Sequence, residues 1–371
     1  MKFDTHFCLV SKQATPNLAP VLAAEFRPKK VILYVSSQMS READSLAKVI
    51  KKYGIACEQM RADDAYDIGV IQNQLFTFLD TQSKQAIALN VTGGTKPMAI
   101  AAQQAFSMAG MPVFYVSPES NDILFLDSKE KSLSLTSKIR LRDYLDVHGF
   151  EVLGETIRSS PHSEKCNVLT SELIARIDVF SDVIGTLNYY AKEAESALET
   201  TIKHPPPGRA WTQLVAMFED AGILQLRGNI LRFTDTESRA YANGGWLEDH
   251  VFGIVKQLPL QDQAINLRVA NHSGAGHATN ELDVAFLAKN RLHLIECKAK
   301  VFKENDKAGA DALYKLDSLT SLGGLNTKCM LVSYRQLRDA DKQRAKDLRI
   351  KTIEGEQLRT LKSQLQSWIA A

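Results

Sequence analysis

Three polar residues in the C-terminal third of the chain, Asp283, Glu296 and Lys298, have the types and spacing for phosphodiester hydrolysis. The segment from Glu281 to Lys298 reads as two apolar strands around Lys289-Asn290, which suits a tight hairpin turn. Antiparallel pairing about that turn sets Asp283 opposite Glu296, with β-carbons about 5 Å apart. Alternation along the strand then puts Lys298 on the face that carries Glu296. Two like charges opposed on one face repel unless something neutralises them. Carboxylate oxygens are hard ligands for Mn²⁺ or Mg²⁺, and a lysine can orient water or stabilise charge developing on a phosphate. The plain alternative is a solvated hairpin face, which would give arbitrary spacing. Here all three groups share one face amid apolar neighbours.

The elements that must position this hairpin are legible only in part. A chain of 371 residues exceeds what one core usually organises, so two domains with connecting structure are expected. Its composition, 44% hydrophobic and 24% charged, is that of an ordinary globular protein, and a net charge of +2 restricts any nucleic-acid surface to a local patch. No apolar run approaches a membrane span and MKFDTHFCLV lacks a signal-peptide core, so a cytoplasmic protein is expected. Five scattered cysteines without CxxC spacing argue against disulfides and structural zinc and for reduced, buried thiols.

From residue 1 to 145, β-branched runs (His6 to Val10, Lys30 to Val35, Ile55 to Met60, Ala86 to Val91, Pro112 to Val116) alternate with helical patterns such as Ser40 to Tyr53 and Asp67 to Leu79. This predicts an α/β fold, a parallel doubly wound sheet with ligands bound beyond the carboxyl ends of its strands. Asp122 to Leu135, with a turn at Ser128 to Lys131, reads as an appended antiparallel hairpin. Residues 146–205, broken at Ser159-Ser160-Pro161, read as a partly helical connector. Residues 206–371 then form a second domain, opening with a helix (Trp211 to Gly222) and a hairpin (Ile223 to Phe233) that together look winged-helix-like. A further helix, Trp246 to Leu258, follows.

The carboxylate hairpin resembles the PD-(D/E)xK nucleases, in which an acid on one strand is followed by Glu-x-Lys on the next; Glu296-Cys297-Lys298 supplies the latter. The resemblance implies a C-terminal α/β restriction-endonuclease-like domain. It also implies a third acid from an upstream helix, assigned here to Glu248, so that Asp283, Glu296 and Glu248 would hold the metal. A helix-start acid favoured by the macrodipole is the bland account of Glu248. His272 and His277, in a glycine-rich stretch, are read as loop residues. Tyr314 and Lys315, beside the apolar stripe of Leu313, Leu316 and Leu319, are read as surface residues.

In the first domain, Thr92-Gly93-Gly94-Thr95-Lys96-Pro97 joins a strand to a helix. Glycines permit close backbone approach, the helix start offers free N–H groups, and Thr92, Thr95 and Lys96 add hydroxyls and a cation, a design suited to phosphate. A simple strand-to-helix turn is the competing account. Ser11, Gln13 and Asn17 follow the first strand, and Ser36 and Ser37 close the second, at the same sheet edge. Together these loops resemble the CARF domain, the Rossmann-like sensor of cyclic oligoadenylates, and the whole chain resembles the CARF-nuclease effectors of type III CRISPR systems. That resemblance implies a homodimer sharing one cyclic oligoadenylate, usually cyclic tetra-adenylate, held by Ser11, Gln13, Asn17, Ser36, Ser37 and Thr92 to Lys96. It further implies an allosterically activated nuclease that cleaves single-stranded DNA or RNA or nicks supercoiled DNA. The sequence leaves three other readings: a CARF-type transcription regulator using the winged element, a nucleotide-dependent oxidoreductase without a GxGxxG fingerprint, and a restriction-type nuclease with an inert N-terminal fold.

Overall fold

The computed structural model describes residues 3–82, 86–117, 122–126, 132–154, 163–271, 279–299, 308–320, 323–324 and 327–371. His272 and His277, the turn Ser128 to Lys131 and the break Ser159 to Pro161 lie outside them.

The five apolar runs of the first domain form strands β1 (Thr5–Leu9), β2 (Lys30–Val35), β3 (Ala56–Arg61), β4 (Ile87–Asn90) and β5 (Val113–Val116). With β6 (Asp122–Phe125) and β7 (Leu133–Ser134) they make a seven-stranded sheet in the order β3-β2-β1-β4-β5-β6-β7. Pairing is parallel from β3 through β5 and antiparallel from β5 to β7. Every residue of β1 and β4 is buried, as expected of central strands covered by helices on both faces. Chain order reverses between β1 and β4, and it is at such a switch point that an open sheet leaves a crevice for ligands.

The chain then contributes β8 (Phe150–Leu153) and, after three helices, β9 (Glu199–Thr201). These are followed by β10 (Leu224–Arg227), β11 (Ile230–Phe233), β12 (Asp262–Asn271), β13 (Thr279–Ala288), β14 (Arg291–Lys298), β15 (Lys328–Ser333) and β16 (Lys351–Glu354). Six of them form a mixed sheet in the order β16-β15-β14-β13-β12-β8, while β10, β11 and β9 form a small antiparallel sheet beside the helix Arg209–Asp220. The segment read as a connector thus supplies an edge strand to each sheet: β8 pairs with β12, and β9 with β11.

The mixed sheet has two different faces. Val284, Phe286, Ile295 and Cys297 pack with Trp246, Val251 and Tyr334. Ala285, Leu287, Leu292 and Leu294 join Leu313 and Leu316, and the same apolar cluster runs on into Val10, Ala14 and Leu33 of the first domain. The two α/β units therefore share a core. All five cysteines are free and buried, and no helix among the described residues is long and apolar enough to cross a membrane.

Candidate functional site

Lys289 and Asn290 both take left-handed φ values, 52° and 56°, as the mirror-image two-residue hairpin turn demands. Gln261 clamps the turn: its Oε1 accepts from Asn290 N at 2.6 Å and its Nε2 donates to Asn290 Oδ1 at 2.5 Å. The resulting register, Val284 opposite Ile295 and Ala285 opposite Leu294, is the expected one. Continued toward the strand ends, it carries Asp283 to Glu296 on the face of Ala285 and Leu294. Both acids are buried, at 8% and 3% exposure.

Each carboxylate is tied down. Asp283 Oδ2 accepts from Cys297 N at 2.8 Å. Glu296 is held by two ammonium groups, Lys298 Nζ on Oε1 at 2.6 Å and Lys315 Nζ on Oε2 at 2.7 Å. Lys315, expected at the outer surface, instead lies half-buried on the helix Ala308–Leu319. It follows buried Ala312 by three residues and precedes buried Leu319 by four, so it borders the apolar stripe, and from there its stem reaches over the sheet to Glu296. Its neighbour Tyr314 is exposed, with the Arg344 guanidinium over its ring.

Glu248 arrives from the helix Trp246–Val255, which packs on the opposite face and is entered through a π-type turn, Tyr241–Gly245. Burial, and then the nearby Asp283, push the Glu248 carboxyl well above the usual carboxylate range. Asp283 is raised as well, first by burial and then by Glu296. Burial works against the Lys298 ammonium, yet Glu296 and Asp283 hold its pKa above the ordinary lysine value. Cys297, buried among these acids, is raised so far that it stays a neutral thiol. Glu248 and Lys298 line a cavity of about 410 Å³ together with Asn243, Asn266 and Glu281.

The donor set is chemically suited to a hard divalent cation: oxygen ligands only, with Asp283 and Glu248 displaced toward protonation by burial and by neighbouring acids. It is not closed around an ion. Among the described residues no group of three or more His, Cys, Asp and Glu side chains is arranged to hold one.

At the first sheet, the loops after β1 and β4 meet at the switch point. A β-carbon on Gly93 would fall 2.0 Å from Leu9 O, so only glycine allows the β4 loop to cross the end of β1. Thr95 caps the helix Lys96–Met108, accepting from Met98 N at 3.2 Å, with Pro97 in its first turn.

Several groups expected to face a ligand also bond within the fold or are buried in it. Asn17 is buried, donating to Leu9 O and accepting from Asn90 Nδ2, each at 2.9 Å. Thr92 Oγ1 donates to Asn90 Oδ1 and accepts from Val116 N. Thr95 Oγ1 donates to Ala65 O, and Ser36 is buried. For Asn17, Thr92 and Thr95 the reason is common: the loops cross a sheet end where backbone groups must be satisfied, and short polar side chains beside them do that work. Ser37 and Lys96 are exposed, whereas Ser11 and Gln13 are half-buried. A β-carbon on Gly324 would lie 2.8 Å from Gln13 Nε2, and Tyr144 donates its hydroxyl to Gly323 O at 2.9 Å. Gly323 in turn abuts Leu292 of β14.

The winged element's helix Arg209–Asp220 carries a single basic residue, Arg209, and ends in Glu219-Asp220, which suits neither phosphates nor a DNA groove.

Comparison with known proteins places both halves. Residues 5–144 match the Card1 CARF domain family and residues 235–371 the Card1-like endonuclease domain family. Among solved structures, protein VC1899 from Vibrio cholerae is 27% identical with a TM-score of 0.88, the match covering 99% of this chain and 98% of that one. Can2 from Sulfobacillus thermosulfidooxidans, solved in complex with cyclic tetra-adenylate, is 26% identical with a TM-score of 0.84 over the full length of both chains. A type III CRISPR defence DNA nuclease activated by cyclic oligoadenylate, 15% identical with a TM-score of 0.56, covers 91% of this chain and 46% of that one and shares the fold. No curated protein matches the sequence.

Proposed function

Since this chain joins a Card1 CARF domain to a Card1-like endonuclease domain and so belongs to the CARF-nuclease effectors, we propose that it is a metal-dependent endonuclease switched on by a cyclic oligoadenylate in type III CRISPR antiviral defence. The observation that carries the reading is the buried Asp283/Glu296 pair with a lysine on each oxygen of Glu296. The sensor occupies residues 1–145 and the nuclease residues 206–371. Similarity to Can2 supports cyclic tetra-adenylate as the activator.

Asp283, Glu296 and Glu248 would hold Mn²⁺ or Mg²⁺, which supplies Lewis-acid polarisation of the scissile phosphate. Lys298, kept charged by its acidic neighbours, stabilises the charge that develops there. Ser11, Gln13, Ser37, the Gly93-Gly94 backbone and Lys96 form the sensor's ligand edge. A ring of repeated phosphates matches two such edges related by a two-fold axis, so the working form is a cytoplasmic homodimer. Activation requires the ligand to bind the active arrangement better than the resting one, and the contact of Gln13 with Gly324 gives that preference a route into the nuclease sheet.

The test incubates full-length protein with supercoiled plasmid, single-stranded DNA or RNA, Mn²⁺ and each cyclic oligoadenylate in turn. Ligand-dependent cutting that Asp283→Ala abolishes is expected. Absence of cutting, or cutting by Asp283→Ala equal to the wild type, overturns the nuclease; equal cutting without ligand overturns the sensor.

A further inference from the structure

The Glu-x-Lys motif supplies one lysine, but the centre contains two. We propose that Lys315 is a positioning residue of this centre: it fixes Glu296 through Oε2 and sets the charge that lets the site take one divalent ion together with one phosphodiester. This rests on the nuclease reading above.

Three observations carry it. First, the ion pair is not an ordinary surface contact. Glu296 is 3% exposed, and a buried carboxylate stripped of one partner is strongly disfavoured, whereas exposed pairs contribute little. Second, packing places Lys315. Leu313, Leu316 and Leu319 are almost fully buried against the sheet, so the helix Ala308–Leu319 delivers the ammonium from a direction the hairpin itself cannot supply. Third, the two lysines occupy different oxygens of one carboxylate, at 2.6 and 2.7 Å, which restrains its rotation.

Lys298 and Lys315 are the cations set against this acidic cluster, in which Asp249 and Glu281 also act on Glu248. A divalent ion brings positive charge and a phosphodiester negative charge, so each lysine opposes the first and favours the second. Removing Lys315 therefore pulls the two bound species in opposite directions: the metal gains from losing a competing cation on Glu296, and the substrate loses an attractive charge.

The experiment measures Mn²⁺ affinity of the substrate-free full-length protein by calorimetry, and KM and kcat for nucleic acid at saturating cyclic tetra-adenylate and Mn²⁺. It uses wild type, Lys315→Met, Lys315→Gln and Lys315→Arg, each checked for a cooperative melting transition above the assay temperature. Lys315→Met and Lys315→Gln should bind Mn²⁺ about threefold or more tightly while KM rises about tenfold, and Lys315→Arg should restore both values. A folded Met or Gln variant that changes neither value, or only one, overturns the proposal, as does failure of Lys315→Arg to restore them. If the wild type itself binds no Mn²⁺, or Glu296→Gln cuts normally, the nuclease reading fails instead, and the two failures are distinct.

Discussion

The carboxylate hairpin and the sensor loops use polar side chains in opposite ways. At the hairpin, burial, together with neighbouring acids, raises Asp283 and Glu248 above the usual carboxylate range, so the fold stores an electrostatic demand that a ligand can meet. At the sensor edge, Asn17, Thr92 and Thr95 are satisfied internally, and the fold there presents a shaped backbone with few committed groups at its rim. A reacting phosphate needs fixed charges at defined distances, whereas a large phosphate ring needs a surface that backbone and rim cations complement. Substitutions should therefore act on chemistry at the first site and on shape at the second.

The sharpest way to break the contrast is Glu296→Gln. It keeps the volume and removes the charge, so cleavage should fall about a thousandfold or more while affinity for cyclic tetra-adenylate, read by calorimetry, stays unchanged. Gly93→Ala is the sensor's counterpart. Its methyl collides with Leu9 O, and a stability loss of about 2 to 3 kcal/mol in denaturant unfolding should accompany loss of ligand binding.

The third test is pH. An acid whose folded pKa is raised binds more protons in the folded than in the unfolded state, so stability falls as pH rises from the ordinary carboxylate range toward the raised values. Metal-free protein should thus melt lower as pH rises through that window, with Mn²⁺ restoring the loss. Mn²⁺ affinity should in turn drop on the acid side by up to about tenfold per pH unit for each acid that must lose its proton, and Glu248→Gln should remove part of that limb. The smallest effect is expected of Lys96→Ala, an exposed rim cation: about five- to tenfold weaker ligand binding, with cutting intact at saturation.

How much of this was legible follows from the range of the interactions. The hairpin could be read because its register is set locally by the turn Lys289-Asn290, and the sensor strands because their buried runs are continuous. Strands β8 and β9 could not, since they are three or four residues long and pair with partners far along the chain. Lys315 was missed for a related reason. Its helical period places it at the edge of a stripe, and only the packing angle decides whether an edge residue faces water or Glu296. Asn17 and Ser36 look like loop polar groups until the crossing chains above them are known.

The contact between Gln13 and Gly324 bears on modularity. Gly324 holds a φ of 70° and its missing side chain leaves room for the glutamine amide, so the two surfaces are cut to one another. With a shared core beneath them, the sensor and the nuclease are matched parts. A foreign sensor grafted onto this nuclease would transmit its signal only if the Ser11 to Thr15 loop and the Gly323-Gly324 pair were transferred together.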